Sequence, residues 1–255
     1  MAKPHVKKAA AAAAPSKIHA ADLTFNEEIA RLLQLASAAP VLTFPVRKSA
    51  AKLYELAVLA ELLVEYKTAT NGTVKLVQPK KGTPNTFAGS PASADKDKYA
   101  WFELTDNVGQ VEAEAWVSVQ FVGLSAALAE QNLAPGASIN EKTSSHELDL
   151  SLIVPEPAGG PPRLYPKHTD LLAAVSVKHV SSLAKESVRE ALGFRREMGF
   201  YCGSSGFSTC EWLQTDVPCD PPSPLYLASS AENFEGYDGH IDQLGIYPRF
   251  MKFPY

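Results

Sequence analysis

The sequence predicts an α/β domain of the α+β kind, a mixed central sheet flanked by helices, and three observations carry that expectation. A strongly apolar helix, RKSAAKLYELAVLAELLVEY, precedes any strand signal. Segments of strand character follow it: TVKLVQP, YAWFELTD, VEAEAWVSVQFVGL, HELDLSLIVP and DLLAAVSVKHV. A second helix, SSLAKESVREALGFRREM, comes directly after the last of these, and a further strand, SPLYLASS, comes later. Helix, strands, helix and strand in that order suit a mixed sheet covered by helices. No repeat with a period of 20–50 residues points to a solenoid instead.

Residues 1–21, MAKPHVKKAAAAAAPSKIHAA, lack a leucine-rich apolar core and read as a flexible basic, alanine-rich tail rather than a signal peptide. Residues 22–255 read as one domain with a C-terminal extension. DLTFNEEIARLLQLASA carries apolar residues at helical spacing, with Asp22 or Thr24 placed to cap it. After Pro40 and Pro45 comes the apolar helix, expected over about 48–66. Leu53, Leu56, Ala60 and Leu63 make one stripe, and Ala57, Leu59 and Val64 broaden it enough to bury against a sheet. Asn71-Gly72 marks a turn. KKGTPNTFAGSPASADKDK is polar and rich in Gly, Pro and Ser, hence a loop between the first two strands. In the third strand Val111, Ala113, Ala115, Val117, Val119 and Phe121 alternate with a face that includes Glu112, Glu114 and Gln120. A loop is expected after it, and an irregular tail after SPLYLASS.

With 255 residues, 45% of them apolar, the chain can bury a substantial core. Its 24 basic and 28 acidic residues leave a formal charge of −4, which argues against coating nucleic acid by bulk charge. A local basic cleft stays open, because steering depends on how charge is distributed. No run approaches the roughly 18–20 apolar residues of a membrane span, so no membrane partner is expected. Three cysteines, Cys202, Cys210 and Cys219, are an odd number and suit reduced thiols in the cytoplasm; their loose spacing does not suit structural zinc. There is no P-loop or GxGxxG motif. Gly203-Ser204-Ser205-Gly206 lacks the strand-to-helix elbow a serine hydrolase needs.

AAVSVKHV, residues 173–180, otherwise reads as a buried strand, yet Lys178 stands in it. A buried lysine is costly unless its ammonium is paired or reaches a polar cleft. The preceding strand, HELDLSLIV, carries Asp149 at its centre, so the two side chains can meet if the strands are neighbours. They form either a half-buried ion pair or a metal-dependent site for phosphodiester cleavage, in which the aspartate binds Mg²⁺ and the lysine steadies developing phosphoryl charge.

With these residues the chain resembles the PD-(D/E)xK nucleases, which include many restriction endonucleases. Asp149 matches the first acid of that signature, with Leu148 in place of the proline, and Ser176-Val177-Lys178 occupies the triplet that precedes a helix. The order of elements from about residue 48 to 200 also matches the family's core. Ser176 stands where the family has a carboxylate. The site is therefore either dead or completed from elsewhere, as in relatives that carry S-x-K and draw an acid from the following helix. Glu190 is the preferred replacement over Glu186, one turn earlier on the helix expected over about 181–198. The resemblance further implies Glu55 of the first strong helix and the Val177 carbonyl as metal ligands. It implies Mg²⁺ as the cofactor, with Mn²⁺ as a substitute.

Arg189 and Arg196, clustered with Arg195 and Lys185, would clamp DNA phosphates or simply pair with helix glutamates. His146, Glu147 and His179 flank the site, and YDGHIDQLGIYPRF would either lid the cleft or pack on an edge. The implied function is DNA cleavage, in a restriction or defence setting, by a homo-oligomer or with a partner protein. The alternative is a degenerate nuclease-fold module that binds nucleic acid or a partner chain.

Overall fold

Helix α1, Ala50–Thr70, is built from Ala, Leu and other good helix formers with no Gly or Pro inside it. Lys52–Ala60, Leu62, Leu63 and Tyr66 are all buried, so the helix is sunk into the protein rather than laid on it. Residues 29–31 and 33–34 are also helical, and Ile29 and Leu33 join the same core. The computed structural model describes residues 29–31, 33–34, 50–201, 219–233, 236–237 and 241–252. The predicted tail, the first helix's caps, Pro40, Pro45, Cys202, Cys210 and Gly203-Ser204-Ser205-Gly206 lie outside the described residues.

The expected turn follows α1. Asn71 has φ 53°, and a Cβ at Gly72 would run into the Thr105 carbonyl oxygen. Strands β1 (Thr73–Val77), β2 (Trp101–Thr105), β3 (Val111–Val122), β4 (Ser145–Ile153) and β5 (Leu171–Lys178) then form an antiparallel meander. Helix α2 (Leu124–Gln131) lies between β3 and β4, and helix α3 (Lys185–Met198) follows β5. A short ribbon of β6 (Phe200–Tyr201) and β7 (Cys219–Asp220) comes next, with Cys219 buried. Strands β8 (Leu225–Ser229) and β9 (Ile246–Phe250) complete a seven-stranded sheet in the order β1-β2-β3-β4-β5-β8-β9, β8 parallel to β5 and β9 parallel to β8. This is the mixed, helix-flanked sheet that the sequence predicts. Among the described residues no helix is long and apolar enough to cross a membrane.

Three elements differ from expectation. The loop after β3 contains α2, whose first turn is satisfied from outside: Ser125 donates its N–H (3.0 Å) and hydroxyl (2.7 Å) to the Glu197 carboxylate on α3. A cap supplied 72 residues away leaves no local signature. The irregular tail contains β9, because Arg249 pins IYPRF across to Glu61 and Glu65 of α1, 3.6 and 2.6 Å away. IYPRF is thus an edge strand, where a proline is tolerated. The second helix begins at Lys185, not near 181. Upstream, Val180 and Leu183 donate their N–H groups to the Ser230 hydroxyl and the Asn233 side-chain oxygen (2.9 and 2.7 Å), which holds that stretch out of the helix.

The sheet divides two cores. On one face α1 covers Ala113, Ala115, Val117, Leu150, Leu152, Ala173, Val175 and Val177. On the other, α3 places Val188, Ala191 and Met198 over Val119, Phe121, Leu148, Ala174, Leu225 and Leu227. Strict alternation would keep Val117, Val119 and Phe121 on one face. They change faces at Ser118, which has φ 52°, and the opposing strand changes between Leu148 and Leu150. The ladder pairs Val117 with Leu150 and Val119 with Leu148, so this crease falls at Ser118 and Asp149.

A candidate active site where two strands part

The β4–β5 ladder stops at the pair Leu150–Val175. Beyond it β4 stays bound to β3 as far as Ser145, opposite Val122, while β5 stays bound to β8 as far as Lys178, opposite Ser229. The two strands therefore part just where Asp149 and Ser176-Val177-Lys178 lie. Asp149 spans the opening: its Oδ2 accepts the Val177 N–H at 2.7 Å. In extended backbone a residue's N–H and C=O point to the same side, so the Val177 carbonyl opens to the same gap.

Each wall adds charge. From the α3 side, Glu190 places its carboxylate 2.8 Å from the Lys178 ammonium. From the α1 side, Lys52 and Glu55 share one helix face at i,i+3 and are bound to each other. Lys52 also donates to the Ser118 hydroxyl at the crease, 2.5 Å away. Burial pushes the Glu55 carboxyl up to about 7; Lys52 opposes the rise, and Asp149 and Glu147 add to it. Glu147 is raised by burial and by Asp149, against the pull of Lys52, Ser118 and Lys178. Asp149 is raised mainly by burial, against the Val177 N–H, Lys178 and Lys52, with Glu190 adding to the rise. Acids from α1, β4 and α3 and two lysines thus share one field, with Asp149 common to both sides.

Asp149 accepts the Val177 N–H, Glu190 pairs with Lys178, and Glu55 pairs with Lys52, while Asp149 lies in the field of Lys178, Lys52 and Glu190. Glu186 stays on the exposed face of α3, 3.9 Å from Arg189, so the choice between the two helix acids falls to Glu190. Arg189 is exposed in that loose pair, and Arg196 lies farther along α3 in the wall of a separate cavity. His146 is exposed, 3.9 Å from Glu197. His179 packs its ring against Tyr54 and reaches the Ser230 hydroxyl at 3.2 Å, and burial lowers its pKa. Lys52 and Ser118 escaped the sequence reading. The legible signal was a K-x-x-E pair in the first, otherwise uncharged half of an apolar helix.

Ser176 is fully buried on the α3 face of the sheet, and among the described residues its hydroxyl has no hydrogen-bond partner. Ser176→Ala is therefore expected to be neutral or to stabilise by up to about 1 kcal/mol, since it removes an unsatisfied buried oxygen. Urea denaturation measures it, and a loss above that size would mean the hydroxyl has a partner.

Among the described residues no three acidic, histidine or cysteine side chains are gathered closely enough to hold a metal ion as they stand. Compared with protein families, curated proteins and solved structures, the chain matches none.

Proposed function

We propose that the chain is a Mg²⁺-dependent nuclease that hydrolyses phosphodiester bonds of DNA at the gap between β4 and β5. The observation that supports this reading is the convergence on one strand opening of Asp149, the Val177 backbone and the Lys178–Glu190 pair. A serine at position 176 is then no defect. Position 176 is sealed in the core, whereas Glu190 reaches Lys178 from the helix, so the acid has moved to a place where it can act.

The oxygen donors are of the kind a hard divalent cation takes, and the acids would draw together around one. Carboxylate and carbonyl oxygens are what Mg²⁺ takes, and the mutual repulsion and burial of Glu55, Glu147 and Asp149 are what a cation relieves. The two ammonium groups seated against Glu55 and Glu190 mark where positive charge is wanted. Asp149, Glu55, Glu190 and the Val177 carbonyl would hold the ion, which supplies Lewis-acid polarisation and a more acidic water.

The chain's own residues do the rest. Hydrolysis forms one P–O bond to water and breaks one ester P–O bond, and negative charge grows on the phosphoryl oxygens between these events. Lys178 stands at the mouth of the gap to steady that charge, and Glu190 fixes the direction of its ammonium. The setting would be a cytoplasmic restriction or defence system, with DNA steered by local charge and a second copy or partner protein contributing the rest of the surface.

Supercoiled plasmid incubated with the protein and Mg²⁺ is expected to be nicked and linearised, with EDTA abolishing the conversion. Intact plasmid with both Mg²⁺ and Mn²⁺ from pH 6 to 9 would leave the second reading, a nuclease-fold module that binds without cutting. One observation favours that reading: Glu55 and Glu190 are each already neutralised by a lysine.

A further inference from the structure

Among the described residues, Asn71, Asn85 and Ser118 have a positive φ without being glycine. Asparagine enters that left-handed region readily, and serine does not. The two asparagines stand outside the helices and strands, whereas Ser118, at 52°, stands inside β3 and is fully buried. Glycine would take the same backbone at no steric cost, so the fold by itself does not ask for a serine there. Residues held in sparsely populated conformations by their surroundings gather at functional sites.

The surroundings do hold Ser118. The β3–β4 ladder pairs Val117 with Leu150 and Val119 with Leu148, and between them Ser118 faces Asp149. Ala92, from the loop between β1 and β2, donates its N–H to the Ser118 carbonyl at 3.0 Å and accepts the Gln120 N–H at 2.8 Å. What the left-handed backbone achieves is a change of side. Trp116 belongs to the core under α3 and Val117 to the core under α1, so regular alternation would send Ser118 back among the apolar groups under α3. It turns to α1 instead, where its hydroxyl accepts from the Lys52 ammonium at 2.5 Å. The hydroxyl keeps its own proton to donate, and the Glu147 carboxylate of β4 is the acceptor it meets. Lys52 in turn is bound to Glu55. One hydroxyl thus ties α1 to β4, between Glu55 and Glu147 and opposite Asp149.

We propose that Ser118 is a positioning residue of the strand-gap site: its left-handed backbone is kept because it lets the hydroxyl link Lys52 to Glu147, which sets the acid of α1 beside those of β4. This rests on the reading of the gap as a nuclease site. Fully buried, Ser118 acts through Lys52 and Glu147 and not on the DNA.

Ser118→Gly and Ser118→Ala test the role on the full chain. Both lose the hydroxyl; glycine relieves the backbone, and alanine keeps it strained. Ser118→Gly is expected to melt above Ser118→Ala, and both are expected to nick supercoiled plasmid with kcat at least tenfold below the wild type and KM for DNA unchanged. A merely structural serine would leave kcat alone and move only the melting temperature. A second readout needs no cleavage. Acetylation of Lys52 by acetic anhydride, followed by mass spectrometry with Lys178 as the internal reference, is expected to run at least fivefold faster in both variants, because the ammonium loses its tie to the crease. A wild type that cuts, with both variants cutting equally fast, would overturn the positioning role and leave the nuclease reading standing. A wild type that does not cut, with Lys52 labelled faster in both variants, would remove the nuclease reading and keep Ser118 as the residue that places Lys52. Labelling of Lys52 unchanged in both variants would overturn the link itself.

Discussion

Asp149→Asn is expected to remove Mg²⁺-dependent DNA cleavage, by at least about 10²–10³-fold, and to raise the melting temperature at pH 7.5. The two effects have one cause. The fold holds the Asp149 carboxyl above its ordinary range, mainly by burying it, so its charged form is less favourable in the folded chain than in water. Asparagine removes that charge and keeps a side-chain oxygen to accept the Val177 N–H, so the strand opening stays bridged. What it cannot keep is a formal charge for a cation, and losing one preorganised electrostatic group typically costs about 10²–10³ in rate. Lys178→Ala is expected to lose activity to a similar degree with stability changed by no more than about 1 kcal/mol, because Glu190 is half-exposed and can rehydrate. Glu190→Ala belongs in the same series. If it cuts as well as the wild type while Asp149→Asn does not, Glu190 only steadies a lysine and the migrated acid is another residue. A structural ion pair behaves the opposite way: breaking it lowers stability and leaves any activity alone. Plasmid cleavage rates and melting curves on the same three variants separate the two cases.

Much of this arrangement was legible in the chain because its signals are local. The strand at VEAEAWVSVQFV, with one face kept from Ala113 to Val117, the apolar stripe of α1 and the single lysine in AAVSVKHV each follow from patterns over a few residues. Adjacency of the Asp149 and Lys178 strands stood only as a condition in the sequence, because residues 154–170 separate them. The parts that were missed depend on partners far away in sequence. Helix α2 is capped by Glu197, β9 is pinned to α1 by Arg249, and the crease at Ser118 appears only when β3 is laid beside β4. Lys52 was passed over for the same reason: a lysine three residues before a glutamate reads as a solvated surface pair, and only the burial of α1 makes it the counter-charge of an acidic cluster. Arg189, which the sequence offered as a phosphate clamp or a partner of helix glutamates, is exposed and loosely paired with Glu186.

Lys52 and Glu55 give the second large expectation, a pH-dependent stability that Mg²⁺ reverses. Glu55 is 8% exposed, and its carboxyl is moved from 4.5 to about 7. Its folded pKa lies above the unfolded one, so the folded state binds the proton more tightly. The stability this contributes is complete below about pH 4.5, declines as pH rises toward about 7, and is gone above it. The full span corresponds to about 3 kcal/mol, at about 1.4 kcal/mol per unit. Histidines titrate in part of the same window, so the measured quantity is the difference between wild type and Glu55→Gln in urea denaturation from pH 4 to 8.5. Glutamine cannot ionise, so the two are expected to diverge between about pH 4.5 and 7 and to run parallel above, the wild type becoming the less stable. Lys52→Met is expected to extend the decline to higher pH, because it strips the charge that keeps Glu55 ionisable. Mg²⁺ must compete with the Glu55 proton, so it is expected to stabilise the wild type at pH 8 and hardly at all at pH 5. Parallel pH curves for wild type and Glu55→Gln would place Glu55 in water. Divergent curves that Mg²⁺ leaves unmoved would keep the buried acid and remove the metal, and the cluster would then be a charged core held shut by Lys52.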